Sequence, residues 1–158
     1  MRLIRLIYAS RVTTPMGTGD MVRMMHAASE FNRGQGITGM LAFDQASFLQ
    51  SLEGGAQAVN SLYHRIARDP RHQRMTLLCC GEVVEREFAD WSMTSLDICG
   101  TNSSARVGAL RRCHGMARFE PSLLRAESAL CLLSALSDEV LPACLDASLE
   151  SDAIARAA

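Results

Sequence analysis

Gln50 places an amide where an apolar residue such as Val or Ile would be expected on one face of a strand. Gln50 is flanked at two-residue spacing by Phe48 and Leu52, so the three side chains should share one face of a strand. If that face is the core, burying an unpaired amide would cost about 1–3 kcal/mol. We therefore expect Gln50 either to have buried hydrogen-bond partners or to face the other way. Because an amide offers two donors and an acceptor, Gln50 is also a candidate contact for a ligand with a mixed donor and acceptor edge.

Other polar side chains are candidates for chemistry, and each has an ordinary structural alternative. Tyr8 lies in an apolar strand, where a core tyrosine with a paired hydroxyl is the common case. Asn32 lies at a helix end, where asparagine is frequent for capping reasons. Arg65 and Asp69 are four residues apart on one helix, so they form either a surface ion pair or a donor and an acceptor aimed at one planar edge. His72 follows in a loop, where an exposed histidine is expected.

The remaining sequence favours no familiar catalytic class. Trp91 and Met93 share a strand face, for which core packing is the ordinary explanation. No Ser-His-Asp or Cys-His set stands out, and no Gly-x-Gly-x-x-Gly segment follows a strand. All sixteen basic residues are arginine, which excludes Schiff-base catalysis and a P-loop lysine.

Composition limits the partners and the location that we expect. A net charge of −1 provides no basic field for nucleic acid. No segment reaches the ~18 consecutive apolar residues that span a membrane, and Arg5 interrupts the apolar N-terminus, which argues against a signal peptide. The six cysteines include no Cys-x-x-Cys and have no clustered histidines. We therefore expect a cytoplasmic protein with reduced thiols and no metal site.

The hydrophobic periodicity predicts two helices and five strands in the order βαββαββ. The expected elements are strand Leu3–Ala9, helix Asp20–Arg33 with Asp20 as its N-cap, strands Ile37–Phe43 and Phe48–Glu53, a helix around Val59–Ile66, and strands Met75–Val84 and Trp91–Leu96. This is the order of an α+β, ferredoxin-like fold with both helices on one face of the sheet. The groove between the helices would be the natural ligand site.

A change in composition near Gly100 indicates two parts, residues 1–98 and a helical extension over residues 99–158. Val107 to Cys113 suggests a short helix, and Pro121 suits the first position of a longer one. Its apolar surface over residues 123–136 is broad, and a weaker helix is expected within residues 138–158. We expect the extension to cover the free sheet face or to pack on a second protomer, and the leucine-rich surface favours a homo-oligomer.

Six sequence segments, each weak alone, form a specific set when they are taken in order. They are Ile7-Tyr8-Ala9-Ser10-Arg11, Phe31-Asn32, Gly36-Ile37-Thr38-Gly39-Met40-Leu41, Phe48-Leu49-Gln50-Ser51-Leu52-Glu53-Gly54, Ile66-Ala67-Arg68-Asp69-Pro70-Arg71-His72 and Phe88-Ala89-Asp90-Trp91-Ser92-Met93. The set resembles the BLUF family of blue-light sensors that use FAD, from Leu3 to about Ser95. The family's fold is ferredoxin-like with flavin between the two helices, which agrees with the periodicity.

The resemblance implies a photochemical switch. Tyr8 would be the electron and proton donor to excited flavin, and Gln50 would be the amide that bridges Tyr8 to the flavin N5 and C4-carbonyl edge. Rotation or tautomerisation of Gln50 would then change its hydrogen bonds and shift the flavin spectrum to the red. Trp91 or Met93 would approach Gln50 and relay the signal.

The resemblance also implies a set of flavin contacts. Asn32 would bind the C4-carbonyl and N3 edge, Arg65 and Asp69 would address the C2-carbonyl and N3 side, and Met24 and Ile66 would enclose the ring. The cofactor-binding set is therefore Tyr8, Met24, Asn32, Gln50, Arg65, Ile66, Asp69 and His72, with Arg71 beside His72 in the same segment. Phe31 is a departure, because some relatives carry a second asparagine there.

The resemblance implies a blue-light photoreceptor that is not itself an enzyme. Because we expect 158 residues to leave no room for a fused cyclase or phosphodiesterase, we expect it to signal to a downstream protein, whose identity the sequence leaves open. FAD is the family norm, although FMN or riboflavin would also fit a site that mainly grips the ring. Two other classes stay open at this point: a flavin-dependent redox enzyme and a cofactor-free ferredoxin-like interaction module.

Overall fold

The computed structural model describes residues 2–90, 94–98, 108, 112–113 and 118–138. Its elements follow the expected order, which confirms the α+β, ferredoxin-like prediction. They are β1 (Leu3–Val12), α1 (Thr18–Gly34), β2 (Thr38–Phe43), β3 (Ser47–Gly55), α2 (Ala56–Ala67), β4 (His72–Glu82), β5 (Thr94–Asp97), a 3-10 turn (Pro121–Leu123) and a helix over residues 126–138, here α3.

The five strands form one mixed sheet in the order β4-β1-β3-β2-β5. β1 pairs antiparallel with both β3 and β4, and β2 pairs antiparallel with β3. Only β5 is parallel to its neighbour β2. β3 is therefore the central strand, and all nine of its residues are buried.

Apolar side chains cover both faces of the sheet. The face beneath α1 and α2 carries the buried cluster Ile4, Leu6, Tyr8, Ile37, Leu52, Val59 and Leu62. The opposite face joins Ile7, Ala9, Met40, Ala42 and Leu49 to the C-terminal side chains Phe119, Leu124, Ala129, Leu132, Leu133 and Leu136. The leucines of α3 thus pack on the chain's own sheet, which is one of the two arrangements that we expected. They no longer argue for an oligomer.

Several element ends differ from the expectations. α1 begins at Thr18 with Gly17 at the N-cap, and Asp20 lies in its first turn, where a carboxylate is favourable to the helix dipole and pairs with Arg23. β1 continues to Val12. β4 begins at His72, so this residue lies in a strand and not in a loop, because backbone pairing with Val12 extends the sheet to it.

The C-terminal part also differs in detail. Pro121 opens a short 3-10 turn, and a separate helix follows over residues 126–138. Cys113 and Cys131 form a disulfide with their Cα atoms 5.9 Å apart, so the prediction of reduced thiols was wrong for this pair. The two cysteines lie close together because α3 packs on the sheet beside Cys113. Their separation in the sequence does not indicate this contact. Cys79 and Cys80 are free thiols. The weaker helix expected within residues 138–158 lies almost wholly outside the described residues.

In the described ranges, no helix has both the length and the apolar character that crossing a bilayer requires.

Gly39 in β2 offers a direct test of how closely β2 and β3 approach each other. A Cβ at this position would lie 2.1 Å from the carbonyl oxygen of Ser51, so the strands would have to move apart. We expect Gly39→Ala to lower the free energy of unfolding by about 1–3 kcal/mol, measured by urea denaturation. Gly34→Ala is the matched control, because a Cβ there meets no atom within 4 Å. Equal unfolding midpoints for the two variants would contradict this packing.

Candidate functional site

Tyr8 and Gln50 form a buried pair at the centre of the sheet. They are direct cross-strand partners in β1 and β3, so their side chains project from the same face. The Tyr8 hydroxyl donates a hydrogen bond to Gln50 Oε1. Tyr8 is fully buried and Gln50 is 6% exposed. The amide therefore has a buried partner, which decides between the two alternatives that the sequence left open.

The environment of Tyr8 keeps its phenol protonated. Burial, with smaller effects from Tyr63 and Asp69, raises the pKa of Tyr8 well above its usual range. The Tyr63 ring lies edge-on to the Tyr8 ring, with centroids 5.6 Å apart. A neutral phenol can act as the donor in the bond to Gln50, and this bond fixes the oxygen of the amide on the Tyr8 side.

A cavity of about 240 Å³ lies between α1 and α2, above the face that carries Tyr8 and Gln50. Its lining contains all eight side chains that the sequence analysis assigned to cofactor binding: Tyr8, Met24, Asn32, Gln50, Arg65, Ile66, Asp69 and His72. The structure thus brings together residues from three strands, two helices and the segment that leads into β4.

The lining of the cavity combines apolar and polar side chains. Met24 on α1 and Ile66 on α2 belong to its lining and offer apolar surface. Asn32 is the only buried residue of α1, and it lies in the last turn of that helix. Together with the amide of Gln50 it offers both donors and acceptors, which suits a planar ring with a polar edge.

Arg65 and Asp69 do not pair with each other, and each contacts a different residue. The guanidinium of Arg65 stacks on the ring of Phe31, 3.9 Å from its centroid, in cation–π geometry. The carboxylate of Asp69 accepts hydrogen bonds from the backbone N–H and the side chain of Arg71, and the side-chain bonds lower the pKa of Asp69 to about 2. The simple ion pair between Arg65 and Asp69 that spacing suggested is therefore replaced by two separate interactions at the cavity.

His72 is held at the strand side of the cavity. Its Nδ1 lies 2.8 Å from Ser10 Oγ, and its ring centroid is 4.8 Å from that of Phe48. Burial lowers the pKa of His72, with a further lowering from Arg71 and an opposing effect from Asp69. The imidazole is accordingly neutral at pH 7, and its orientation is fixed by Ser10.

Some lining residues were not assigned to cofactor binding by the sequence analysis. They are Met25, Ala27, Ala28, Leu41, Phe48 and Leu62. Two-residue spacing had placed Phe48 on the face of Gln50 without a role at the site, whereas Leu41 can be placed there only from the pairing of β2 with β3. Trp91 and Met93 lie outside the described residues, so the neighbour of Gln50 on that side stays a prediction.

Comparison with known proteins identifies the family. The sequence model of the protein family BLUF, described as sensors of blue light using FAD, matches residues 3–94, which is more than half of the chain. The photoactivated adenylate cyclase subunit beta of Euglena gracilis is 39% identical over 94 residues, which cover 59% of this chain but only 11% of that protein. The chain thus spans about a tenth of the length of this curated relative.

Solved structures agree with the sequence comparison. The dark-state structure of BlrB, a BLUF protein, is 30% identical with a TM-score of 0.69, and the match covers 86% of this chain and 97% of that one. The photo-activated state of BlsA is 26% identical with a TM-score of 0.71, covering 83% and 91% of the two chains. The family model matches residues 3–94, and this range contains every residue that lines the cavity. The chain therefore belongs to the BLUF family of flavin-binding blue-light sensors.

Proposed function

We propose that this protein is a blue-light photoreceptor in which Tyr8 and Gln50 form the switch. The observation that carries the proposal is the buried hydrogen bond from the Tyr8 hydroxyl to Gln50 Oε1 at the floor of the cavity. A tyrosine is an oxidisable donor, and an amide can exchange its donor and acceptor ends by rotation. The pair can therefore hold two hydrogen-bond arrangements within one packed structure.

Bound flavin supplies absorption of blue light and an excited state that is a strong oxidant. Tyr8 would give one electron to the excited flavin, while its phenolic proton passes to Gln50 Oε1, the atom that already accepts its hydrogen bond. Return of the electron and of a proton to Tyr8 would restore the neutral phenol and leave the flavin chemically unchanged. Gln50 then reorients and presents a different end of its amide to the ligand edge. The result is a local rearrangement of hydrogen bonds that can bias a two-state element of the fold.

The residues around the cavity support flavin as the ligand. Met24 and Ile66 offer apolar surface for a planar ring, while Asn32 and Gln50 provide the mixed donors and acceptors that a flavin edge requires. Arg65 adds a cationic donor whose position is set by its stacking on Phe31. The cavity volume of about 240 Å³ lies below the ~300–1,000 Å³ typical of whole-ligand sites, which suits a site that mainly encloses the ring. The family description supports FAD as the bound flavin, and chromatography of the flavin released by denaturation distinguishes it from FMN and riboflavin.

We infer that the protein passes its signal to a separate partner protein. The matches to BlrB and BlsA support this, because each covers nine-tenths or more of the other chain. In this interpretation residues 1–98 are the photosensor and residues 99–158 are the extension that transmits its state. The identity of the partner, the homo-oligomer and a cytoplasmic location stay predictions.

Loss of the switch pair should abolish the light response but not flavin binding. We expect Tyr8→Phe and Gln50→Leu each to retain bound flavin, because the apolar walls and Asn32 are unchanged. Each should lack the red shift of flavin absorption after blue light, since the donor or the amide is missing. Absorption spectra of the purified proteins before and after illumination provide the measurement.

Tyr63→Phe is the matched control for the tyrosine variant. It removes the hydroxyl group of the Tyr63 ring, which contacts Tyr8, but leaves the hydrogen bond from Tyr8 to Gln50 in place. The red shift should persist in this variant. A red shift that also persists in Tyr8→Phe or Gln50→Leu would refute the Tyr8–Gln50 switch.

His72 should make stability depend on pH in the weakly acidic range. Its pKa is 6.5 in the unfolded chain and lower in the folded one, so the unfolded state binds more protons below about pH 6.5. The free energy of unfolding should therefore fall as the pH decreases, by at most about 1.4 kcal/mol per pH unit for one group. His72→Asn should flatten this slope in urea denaturation. An unchanged slope in His72→Asn would contradict the burial of a neutral imidazole.

A further inference from the structure

Glu53 is a buried carboxylate that the proposed switch does not use. It lies on β3 three residues after Gln50, and its side chain is completely buried. Alternation along the strand places it on the face opposite Gln50, toward the C-terminal helix. Because an unpaired buried charge is very costly, its partners indicate which parts of the fold it holds together.

The carboxylate of Glu53 joins β1 to the segment that precedes residues 91–93. Arg5 Nε donates to Glu53 Oε1 at 2.6 Å. The backbone N–H groups of Glu87 and Phe88 donate to Oε1 and Oε2 at 3.2 and 3.0 Å. We call residues 86–90 the connecting segment, and two of its backbone amides are thus fixed directly by the strand that carries Gln50.

Arg86 provides a second attachment of the connecting segment. Its guanidinium donates to the backbone carbonyls of Glu53 and Gly36, each at 2.7 Å, and to Thr38 Oγ1 at 2.8 Å. Both the side chain and the backbone carbonyl of Glu53 therefore hold the segment. A shift of β3 at this residue cannot leave the connecting segment unaffected.

The connecting segment in turn contacts α3. Ser134 Oγ donates to Glu87 Oε1 at 2.6 Å. The Phe88 side chain is buried in the same apolar cluster as Leu132, Leu133 and Leu136 of α3. A continuous chain of contacts therefore runs from β3 through Glu53 and the connecting segment to the C-terminal helix.

We propose that Glu53 is a positioning residue that couples β3 to the C-terminal helix, through the connecting segment and the hydrogen bond between Glu87 and Ser134. This inference rests on the proposed photoreceptor function, because it concerns the route by which the state of Gln50 reaches α3. It differs from the predicted relay by Trp91 or Met93, since its contacts begin at the Glu53 side chain on the other face of β3. A change at Gln50 moves the β3 backbone, and Glu53 transmits that movement.

Hydrogen exchange of the flavin-loaded protein in the dark and under blue light tests the coupling. The wild type should show the flavin red shift together with a light–dark difference in exchange over residues 86–90 and 126–138. Glu53→Gln places an NH₂ group where backbone N–H donors now point, so both exchange differences should fall at least threefold. The red shift should persist, because the cavity face is unchanged.

Ser134→Ala makes the test independent of the folding of the Glu53 variant. It removes only the hydroxyl that bonds Glu87, so the exchange difference over residues 126–138 should fall at least twofold while that over residues 86–90 stays. Ser137→Ala is the control, because Ser137 Oγ bonds only to the Ser134 carbonyl of its own helix among the described contacts. Glu87→Gln keeps an acceptor oxygen for Ser134 and should retain the wild-type response.

The outcomes separate the inference from the photoreceptor function. A wild-type red shift with no exchange difference in α3, or a full difference in both Glu53→Gln and Ser134→Ala, overturns the coupling and leaves photosensing intact. If Ser134→Ala alone keeps the wild-type light–dark difference in exchange over residues 126–138, the step from Glu87 to Ser134 is overturned. No red shift in the flavin-loaded wild type overturns the proposed function, and the inference with it.

Discussion

The complete burial of β3 is the constraint on which the rest of the structure depends. A strand that is covered on both faces can carry polar side chains only where each has a partner. Gln50 meets this condition through Tyr8 on one face, and Glu53 meets it through Arg5 and two backbone amides on the other. Ser51 Oγ is the exception, since it is buried without a hydrogen-bond partner in the described part of the chain. One central strand therefore serves the ligand cavity and the C-terminal helix at the same time.

The two faces of the sheet have different properties that suit different tasks. On the helix-facing side, α1 buries only Asn32 and directs half-exposed methionines into the cavity, so this side is built for a ligand. On the other side, α3 packs its leucines tightly against the strands and forms a continuous core. Because packed cores transmit displacement and do not absorb it, a change beneath the cavity can reach α3 without a large movement of any one element.

Much of the fold and the site could be predicted from the sequence, because both depend on local patterns. Two-residue alternation located β3, and the cost of burying Gln50 required a partner for it. The eight cavity residues followed from the family resemblance, since motif order fixes their places in the fold. The stacking of Arg65 on Phe31 and the role of Glu53 could not be predicted, because the choice of side-chain partner depends on which elements meet in space. The Cys113–Cys131 pair was missed for the same reason.

The proposed switch requires that light rearranges the hydrogen bonds of Gln50. The most direct measurement is a light-minus-dark infrared difference spectrum of flavin-loaded protein with isotope-labelled glutamine, recorded with the absorption spectrum of the same sample. A label-sensitive change in a glutamine side-chain amide band should accompany the red shift, and both should reverse together in the dark. A red shift without any label-sensitive glutamine band would contradict it.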